Sequence, residues 1–358
     1  MAAQMKGLTL HAVNDLQLNT WPIPVPKEDE ILVKIGACGI CGSDLPRVYS
    51  LGAHVYPLIL GHEFAGEVVQ VGNPKDADLI GKKAAVFPLI PCRECDPCLS
   101  GNYCQCENYG YLGSRDNGGF AQYCLVPSRW HLIVTHNDDV DLEALCMTEP
   151  SCVAQHAIRM GHVSAGSNVV ILGAGTIGLL AARWAKLFGA EQVVLTEVDP
   201  VKEQFAKEKG FIVVNSMNGD VSKTIHEIFG GKGADVVIEG TGCSGGINDA
   251  IQLAKVHGTV VLMGNPAKDT LLKLANHSLV LRKELTLQGI WNSNYSNTPI
   301  NEWEYTVKMI ETGQLETADL ITHRVGIDDM KSLFDQIHNR EVTICKAIYS
   351  ASLDQAAV

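Results

Sequence analysis

Residues 168–197 constrain the fold more tightly than any other stretch of this chain. Asn168–Leu172 reads as a strand whose apolar run is of the kind buried on both faces of a sheet. It leads directly into Gly173-Ala174-Gly175-Thr176-Ile177-Gly178, and Ile177–Leu187 then has helical apolar spacing. Gln192–Thr196 reads as the next strand, closed by Glu197. A GxGxxG alone says little, but between a strand and a helix it describes a dinucleotide turn. Gly173 permits the tight turn, Gly175 lets the backbone approach a pyrophosphate, and Gly178 lets the helix pack close to the strand. The helix beginning around Thr176 and Ile177 offers phosphate its free N–H groups and the positive end of its dipole. A carboxylate at Glu197 accepts hydrogen bonds from the adenosine ribose and repels a 2′-phosphate, so the spacing predicts NAD over NADP. Asp199 is an alternative ribose reader, and Lys202 is the nearest cation that could meet a phosphate.

The same alternation continues downstream. Asp235–Glu239, Thr259–Met263 and Leu285–Gly289 read as further parallel strands, with helical stretches at Val201–Lys209, Val221–Phe229 and Gly246–Val256. This is the pattern of an α/β, doubly wound parallel sheet. Before residue 150 the texture differs. Strand-like runs such as Glu30–Ile35, Gly66–Val71 and Lys83–Phe87 are broken by Gly and Pro, which predicts an irregular β-rich domain. After Ser293 a helix at Glu302–Thr312, a candidate helix at Ile327–Asn339 and a strand near Val342–Tyr349 are expected to return to that first domain. The expected organisation is therefore 1–154 with 293–358, and 155–292. At 358 residues and 46% hydrophobic, the chain can bury two cores.

The formal net charge is −12 with no basic stripe, which argues against a nucleic-acid partner. No apolar run approaches the roughly 20 residues needed to span a membrane. Met1–Leu10 has no apolar signal core, so a cytoplasmic location is expected. Twelve cysteines without a secretory signal favour thiol chemistry over a disulfide framework. Cys92, Cys95, Cys98 and Cys106 have the spacing of four thiolate ligands closing a structural zinc site, with Cys104 a possible substitute for Cys106 and an iron–sulfur cluster a further reading. Cys38, Cys124, Cys146, Cys152, Cys243 and Cys345 are scattered and read as small buried hydrophobes. Cys41, His62, Glu63 and Glu149 are also suitable zinc donors, but spacing alone does not pair them, and each has an ordinary structural reading as well.

Taken together, Gly39–Asp44, Gly61–Glu63, the four-cysteine loop, Thr148–Pro150 and the GxGxxG stand in an order that resembles the zinc-dependent medium-chain dehydrogenases, over essentially the whole chain. The resemblance implies a GroES-like catalytic domain built from both chain ends and a Rossmann domain between them. It implies two zinc ions per chain. Cys41, His62 and Glu149 would hold the catalytic one, with Glu63 coordinating or approaching through water. It also implies a homodimer or homotetramer. Glu149, where many alcohol dehydrogenases have cysteine, resembles the polyol dehydrogenase branch. Cys41–Arg47, Gly52–His54, Leu60–Phe64, Gly113–Arg115 with Gly118–Phe120, and Leu281–Leu285 resemble its members acting on polyol phosphates. The implied substrate is a small-molecule polyol or its phosphate. A free polyol such as sorbitol or xylitol is the alternative, and a catalytically silent NAD- and zinc-binding homologue is the rival of another class. A phosphate would find donors in Arg47, His54 and Arg115, and Trp291 and Asn292 are expected near the substrate. Pro46 stands where many relatives carry a relay histidine. Proton transfer would then fall to Ser43, with water, the substrate's own hydroxyls or His54.

Overall fold

The computed structural model describes residues 3–297 and 299–354. The chain divides into two compact units, one formed by the chain up to Glu149 and again from Asn294 onward, the other by Pro150–Ser293.

The first unit contains β1 (Gln4–Ala12), β2 (Asp15–Pro22), β3 (Ile31–Gly39), β4 (Leu58–Ile59), β5 (Glu63–Val71), β6 (Lys83–Val86), β7 (Leu89–Ile90), β8 (Gly110–Tyr111), β9 (Tyr123–Val126) and β10 (Leu132–Val134). β1 forms a hairpin with β2 and also pairs with β4. β3 pairs antiparallel with β5 along most of its length and with β9 near its start. Ile31, Val33, Ile35 and Cys38 are almost fully buried in a core shared with Phe64, Val68, Phe120 and Phe334. Burial of these side chains, at roughly 2 kcal/mol each, outweighs the weak local preference of a Gly-punctuated sequence. β3 runs further than the sequence suggests and stops at Gly39, which delivers Cys41 just past the sheet. β5 likewise starts earlier, at Glu63, directly after His62.

In the second unit β11 (Asn168–Leu172), β12 (Gln192–Glu197), β13 (Ile212–Asn215), β14 (Ala234–Glu239), β15 (Ala254–Leu262) and β16 (Thr286–Gly289) make one sheet in the order β13-β12-β11-β14-β15-β16. Every pairing in it is parallel. The order reverses at β11, the switch point at which open sheets of this type bind their ligands. Val169, Val170 and Ile171 are fully buried, as the uninterrupted apolar run requires. β13 and the helix Leu274–Lys283 carry no clear pattern in the sequence. The helix expected over Gly246–Val256 ends at Leu253 because Ala254 already opens β15.

Gly173 has φ of +97°, a left-handed conformation that L side chains resist. A Cβ at Gly178 would collide with the Gly173 carbonyl oxygen. Gly178→Val is therefore expected to cost about 3 kcal/mol of stability by forced displacement of the turn and to weaken nucleotide binding at least about tenfold. Thermal denaturation and titration of nucleotide fluorescence check this, and unchanged binding would contradict it.

After Ser293 the chain adds the helix Glu302–Glu311, β17 (Ile321–Val325), a helix at Met330–His338 and β18 (Lys346–Ser350). The single helix expected over 327–339 is a 3₁₀ turn, Ile327–Asp329, followed by the α-helix. β18 pairs with β17 in parallel and with the end of β3 antiparallel, matching Ile348 to Gly39. β18 thus lies against the end of β3 that leads to Cys41.

Candidate functional site

The 92–106 loop folds around its thiols. The Sγ atoms of Cys92, Cys95, Cys98 and Cys106 lie within 4.8 Å of one another. Cys92 and Cys98 are 4.0 Å apart, and Cys95 and Cys106 3.9 Å. Four thiolates about 2.3 Å from one ion would stand roughly 3.8 Å from each other, so the cluster fits a tetrahedral zinc. Backbone N–H groups of Glu94 and Cys95 aim at Cys92 and lower its thiol to about 7. Cys104 is buried outside the cluster, which distinguishes it from Cys106. All twelve cysteines are unbridged.

The second group is assembled from the ends of two strands. Cys41 follows β3, His62 precedes β5 and Glu63 opens it, and one ligand atom of each lies within 4.8 Å of the others. His62 Nδ1 is buried with no hydrogen-bond partner among the described residues, 3.7 Å from Asp44 Oδ1. Burial pushes the His62 imidazole down, but the Asp44 carboxylate and the Cys41 sulfur outweigh it and lift the group to about 10. A buried imidazole beside a thiol and several carboxyl groups is the donor arrangement of a cation site, and a metal there would displace the imidazole's proton. Asp44 is fully buried and accepts from the Cys41 backbone N–H at 3.0 Å, so it shapes the Cys41 turn as well.

Glu149 does not join this tight group. It is buried, and the Tyr111 hydroxyl donates to its Oε1 at 3.3 Å. Burial, reinforced by Glu63 and opposed by His62, lifts the Glu149 carboxyl to about 7. Lys346 of β18 is 3% exposed, donates to the Ile40 carbonyl at 2.9 Å and is ion-paired with Glu63 Oε2. Ser43 is exposed, and its hydroxyl makes no capping bond to the short helix that follows. Asp44, Tyr111 and Lys346 are residues of this region that sequence reading did not single out. Asp44 had a local signal, lying three residues from Cys41, whereas Tyr111 and Lys346 had none.

Three basic side chains stand near one another in the same unit. Arg47 is held by Asp44 at 2.9 Å and by the Ser114 hydroxyl at 3.2 Å. Arg115 stacks on Tyr109, with its guanidinium carbon 4.5 Å from the ring centre, and its buried Nε has no acceptor among the described residues. His54 is exposed. Partial desolvation and the charges of Arg115 and Arg47 lower its pKa, so His54 senses both guanidiniums. Two guanidiniums beside an imidazole, one of them with an orphan donor, suit an anion.

In the second unit a cleft at the strand ends is lined by Gly173, Glu197, Ser216, Ser222, Thr241 and Asp249 among others. The helix Thr176–Leu187 starts there, with Gly175 as its N-cap residue and Thr176, Ile177 and Gly178 in its first turn. Glu197 is fastened by three backbone amides: Oε2 accepts from Ala174 at 2.9 Å, and Oε1 from Val198 at 2.7 Å and Asp199 at 3.0 Å. Asp199 is occupied otherwise, capping the next helix through Val201 N–H at 2.8 Å. Lys202 lies in that helix's first turn, outside the cleft lining. Trp291 is 55% exposed, so it is not core, and Asn292 adopts a left-handed φ of +60°. No helix among the described residues is long and apolar enough to cross a membrane.

Residues 27–136 match the model of the alcohol dehydrogenase GroES-like domain, and residues 176–312 that of the zinc-binding dehydrogenases. Galactitol 1-phosphate 5-dehydrogenase of Escherichia coli K12 is 36% identical over 306 residues, covering 84% of this chain and 86% of that protein. A crystal structure of galactitol-1-phosphate dehydrogenase from Escherichia coli has a TM-score of 0.88 at 32% identity, covering 96% of this chain and 99% of that one. A zinc-binding dehydrogenase from Sinorhizobium meliloti 1021, bound to NADP, has a TM-score of 0.89 at 30% identity, over 97% and 99% of the two chains. Matches of this extent, on a β-rich unit with grouped zinc donors and a parallel sheet of the dinucleotide-binding order, place the chain in the zinc-dependent medium-chain dehydrogenase family, within its polyol dehydrogenase branch.

Proposed function

We propose that this enzyme oxidises a secondary alcohol of a polyol phosphate to the ketose phosphate with NAD, and that galactitol 1-phosphate, giving tagatose 6-phosphate, is the substrate to test first. The observation that carries the phosphate is the group formed by Arg47, His54 and Arg115, with the buried Arg115 Nε lacking an acceptor among the described residues. An Arg fork meets a phosphate's oxygens with two charge-assisted hydrogen bonds, so such an orphan donor would be satisfied by the ester. The 36% identity to a galactitol 1-phosphate enzyme supports the same reading.

Cys41, His62 and Glu149 would hold the catalytic zinc, and Cys92, Cys95, Cys98 and Cys106 the structural one. A zinc held by these residues would supply Lewis-acid chemistry that eases loss of the substrate hydroxyl proton. Ser43 Oγ, uncommitted to the helix cap, takes that proton and passes it by water or His54 to solvent. Pro46 provides no side-chain relay, so the path runs through Ser43. Glu197, held rigid by its three amides, would bind the ribose hydroxyls and disfavour a 2′-phosphate. NAD supplies the hydride acceptor, while the GxGxxG turn holds its pyrophosphate. The homo-oligomer implied by the family would use the edge strand β16, where Leu287 is exposed, with the preceding helix, where Leu274 and Leu281 are exposed.

The test is NADH formation with a panel of free and phosphorylated hexitols and pentitols. Phosphorylated substrates are expected to exceed the free polyols about a hundredfold in kcat/KM, the discrimination of a site built for a charged group. Preferred turnover of free sorbitol or xylitol would remove the phosphate from the proposal, and no turnover with any polyol would remove the enzyme. Arg115→Ala should raise KM for the phosphate ester about tenfold or more and leave free polyols nearly unchanged. It is a cleaner probe than Arg47→Ala, which would also release Asp44 beside His62. Equal effects on both substrate classes would take Arg115 out of the phosphate site.

A further inference from the structure

We propose that Glu239 is a positioning residue for the dinucleotide: its buried carboxylate fixes the loop after β14 that walls the cleft opposite the GxGxxG turn. The inference rests on reading that cleft as the nucleotide site.

Sheet register puts Glu239 there. It ends β14, where it pairs with Leu172 of β11 on one side and Leu262 of β15 on the other. Leu172 directly precedes Gly173, so the chain leaves β11 for the GxGxxG turn beside the point where it leaves β14 for the 240–245 loop. β11 and β14 flank the place where the strand order reverses. Thr241 and Cys243 of the loop line the cleft together with Gly173 and Glu197. A Cβ at Gly173 would stand 3.2 Å from Thr241 Cγ2, so the threonine methyl faces the turn directly.

The loop has little else to hold it. Thr241, Cys243, Ser244 and Gly245 are exposed, whereas Glu239 is 4% exposed. The Glu239 carboxylate supplies the missing order. Oε1 accepts from the Thr241 N–H at 2.9 Å, from the Thr241 hydroxyl and from the Gly242 N–H at 3.1 Å. The Thr241 oxygen in turn accepts from the Cys243 N–H at 3.1 Å. One carboxylate thus fastens three successive residues of the rim. Its donors are two amides and a hydroxyl, none of them a cation. An anion buried on neutral donors is costly to desolvate, and they offset that cost only while all of them are aimed at it. The backbone is shaped to admit it. Gly242 has φ of +62°, and a Cβ at Gly246 or Gly264 would stand 2.5 or 2.9 Å from a carboxylate oxygen. The loop is therefore held in one shape before a nucleotide arrives. Without the carboxylate, binding would first have to order Thr241–Cys243, which lowers affinity.

The test uses the full-length protein and measures dissociation constants for NADH by fluorescence and for ADP-ribose by calorimetry, well below the unfolding temperature of each variant. Glu239→Gln keeps the size but turns an NH2 group toward one of its donors, and is expected to weaken both ligands about tenfold. Thr241→Val keeps the methyl and removes the hydroxyl, and should weaken both about threefold even if Glu239→Gln fails to fold. Thr241→Ser keeps the hydroxyl and should bind within about twofold of the parent protein. The double variant Glu239→Gln with Thr241→Val should bind no more weakly than Glu239→Gln alone, because both substitutions break one link. Parent-like affinity in Glu239→Gln or Thr241→Val, additive losses in the double variant, or weaker binding by Thr241→Ser than by Thr241→Val overturns the proposal. Binding of neither ligand by the parent protein would instead defeat the reading of the cleft, so the two failures are distinguishable.

Discussion

Cys41→Ala is expected to lower dehydrogenase turnover by about a thousandfold or more and to leave one zinc per chain instead of the two proposed for the parent protein. Cys41 sits between two strand ends, close to His62 and Glu63, and no other thiol belongs to that group. Cys38 is buried in the core, and its thiol is held in the neutral form by burial, so it cannot substitute. The remaining donors are an imidazole and carboxylates, one of which is tied to Lys346. Loss of the thiolate therefore removes both affinity and geometry. Elemental analysis after dialysis, together with NADH formation, reads both effects. The fold should persist, because Cys41 is only half-buried and its neighbours are held by the β3, β5 and β18 pairings. Full turnover with two zinc ions would sink the assignment.

Cys98→Ala should act in the opposite way, on stability more than on chemistry. Between β7 and β8 the chain has only one turn of α-helix, Asp96–Leu99, and a 3₁₀ turn, Tyr103–Gln105. Such a segment cannot bury enough apolar surface to order itself, and the proposed metal would supply what the loop lacks. Removing the buried Cys98 ligand is expected to cost about 3 kcal/mol, or roughly 6 to 10 °C in melting temperature for a domain of this size. The change should also be visible in tryptophan fluorescence. Arg93 lies 4.3 Å over the Trp130 ring, and Tyr103 packs edge-on against it at 5.2 Å. Loosening the lobe therefore alters the surroundings of Trp130. An unchanged melting temperature with two zinc ions retained would show that the four thiols hold no metal.

How much of this was legible beforehand follows from the range of the interactions. The GxGxxG turn and the four-cysteine loop each lie within a short segment, and backbone geometry alone converts their spacing into a shape. Gly173 needs a left-handed φ, Gly178 needs an absent Cβ, and Cys92, Cys95 and Cys98 come round one short turn. Element ends were less legible. The strand at 31–39 continues past its apolar pattern because β5 and β18 pair with it to the end. β13 and the Leu274–Lys283 helix bury too little of their surface to mark the sequence.

The second donor group shows the limit most clearly. Cys41, His62 and Glu63 could be grouped from sequence only through family resemblance, because nothing local brings a residue after β3 to one before β5. Two partners were out of reach even so. Tyr111 reads as one more aromatic in a strand, and Lys346 as a charged residue near the end of the chain. A lysine in a strand is normally solvated, and its burial depends on a carboxylate placed opposite it by sheet register. By itself, then, the sequence determined the parallel nucleotide-binding sheet, the four-thiolate loop and the donor types available for a second metal. Only the tertiary structure decided that Cys106 and not Cys104 completes the loop, that Arg47, His54 and Arg115 stand near one another, and that Lys346 faces Glu63 across Gly39. The first set follows from backbone geometry over a few residues. The second follows from contacts made only in the folded chain, the longest being the Lys346–Glu63 pairing, which spans 283 residues and is set by sheet register.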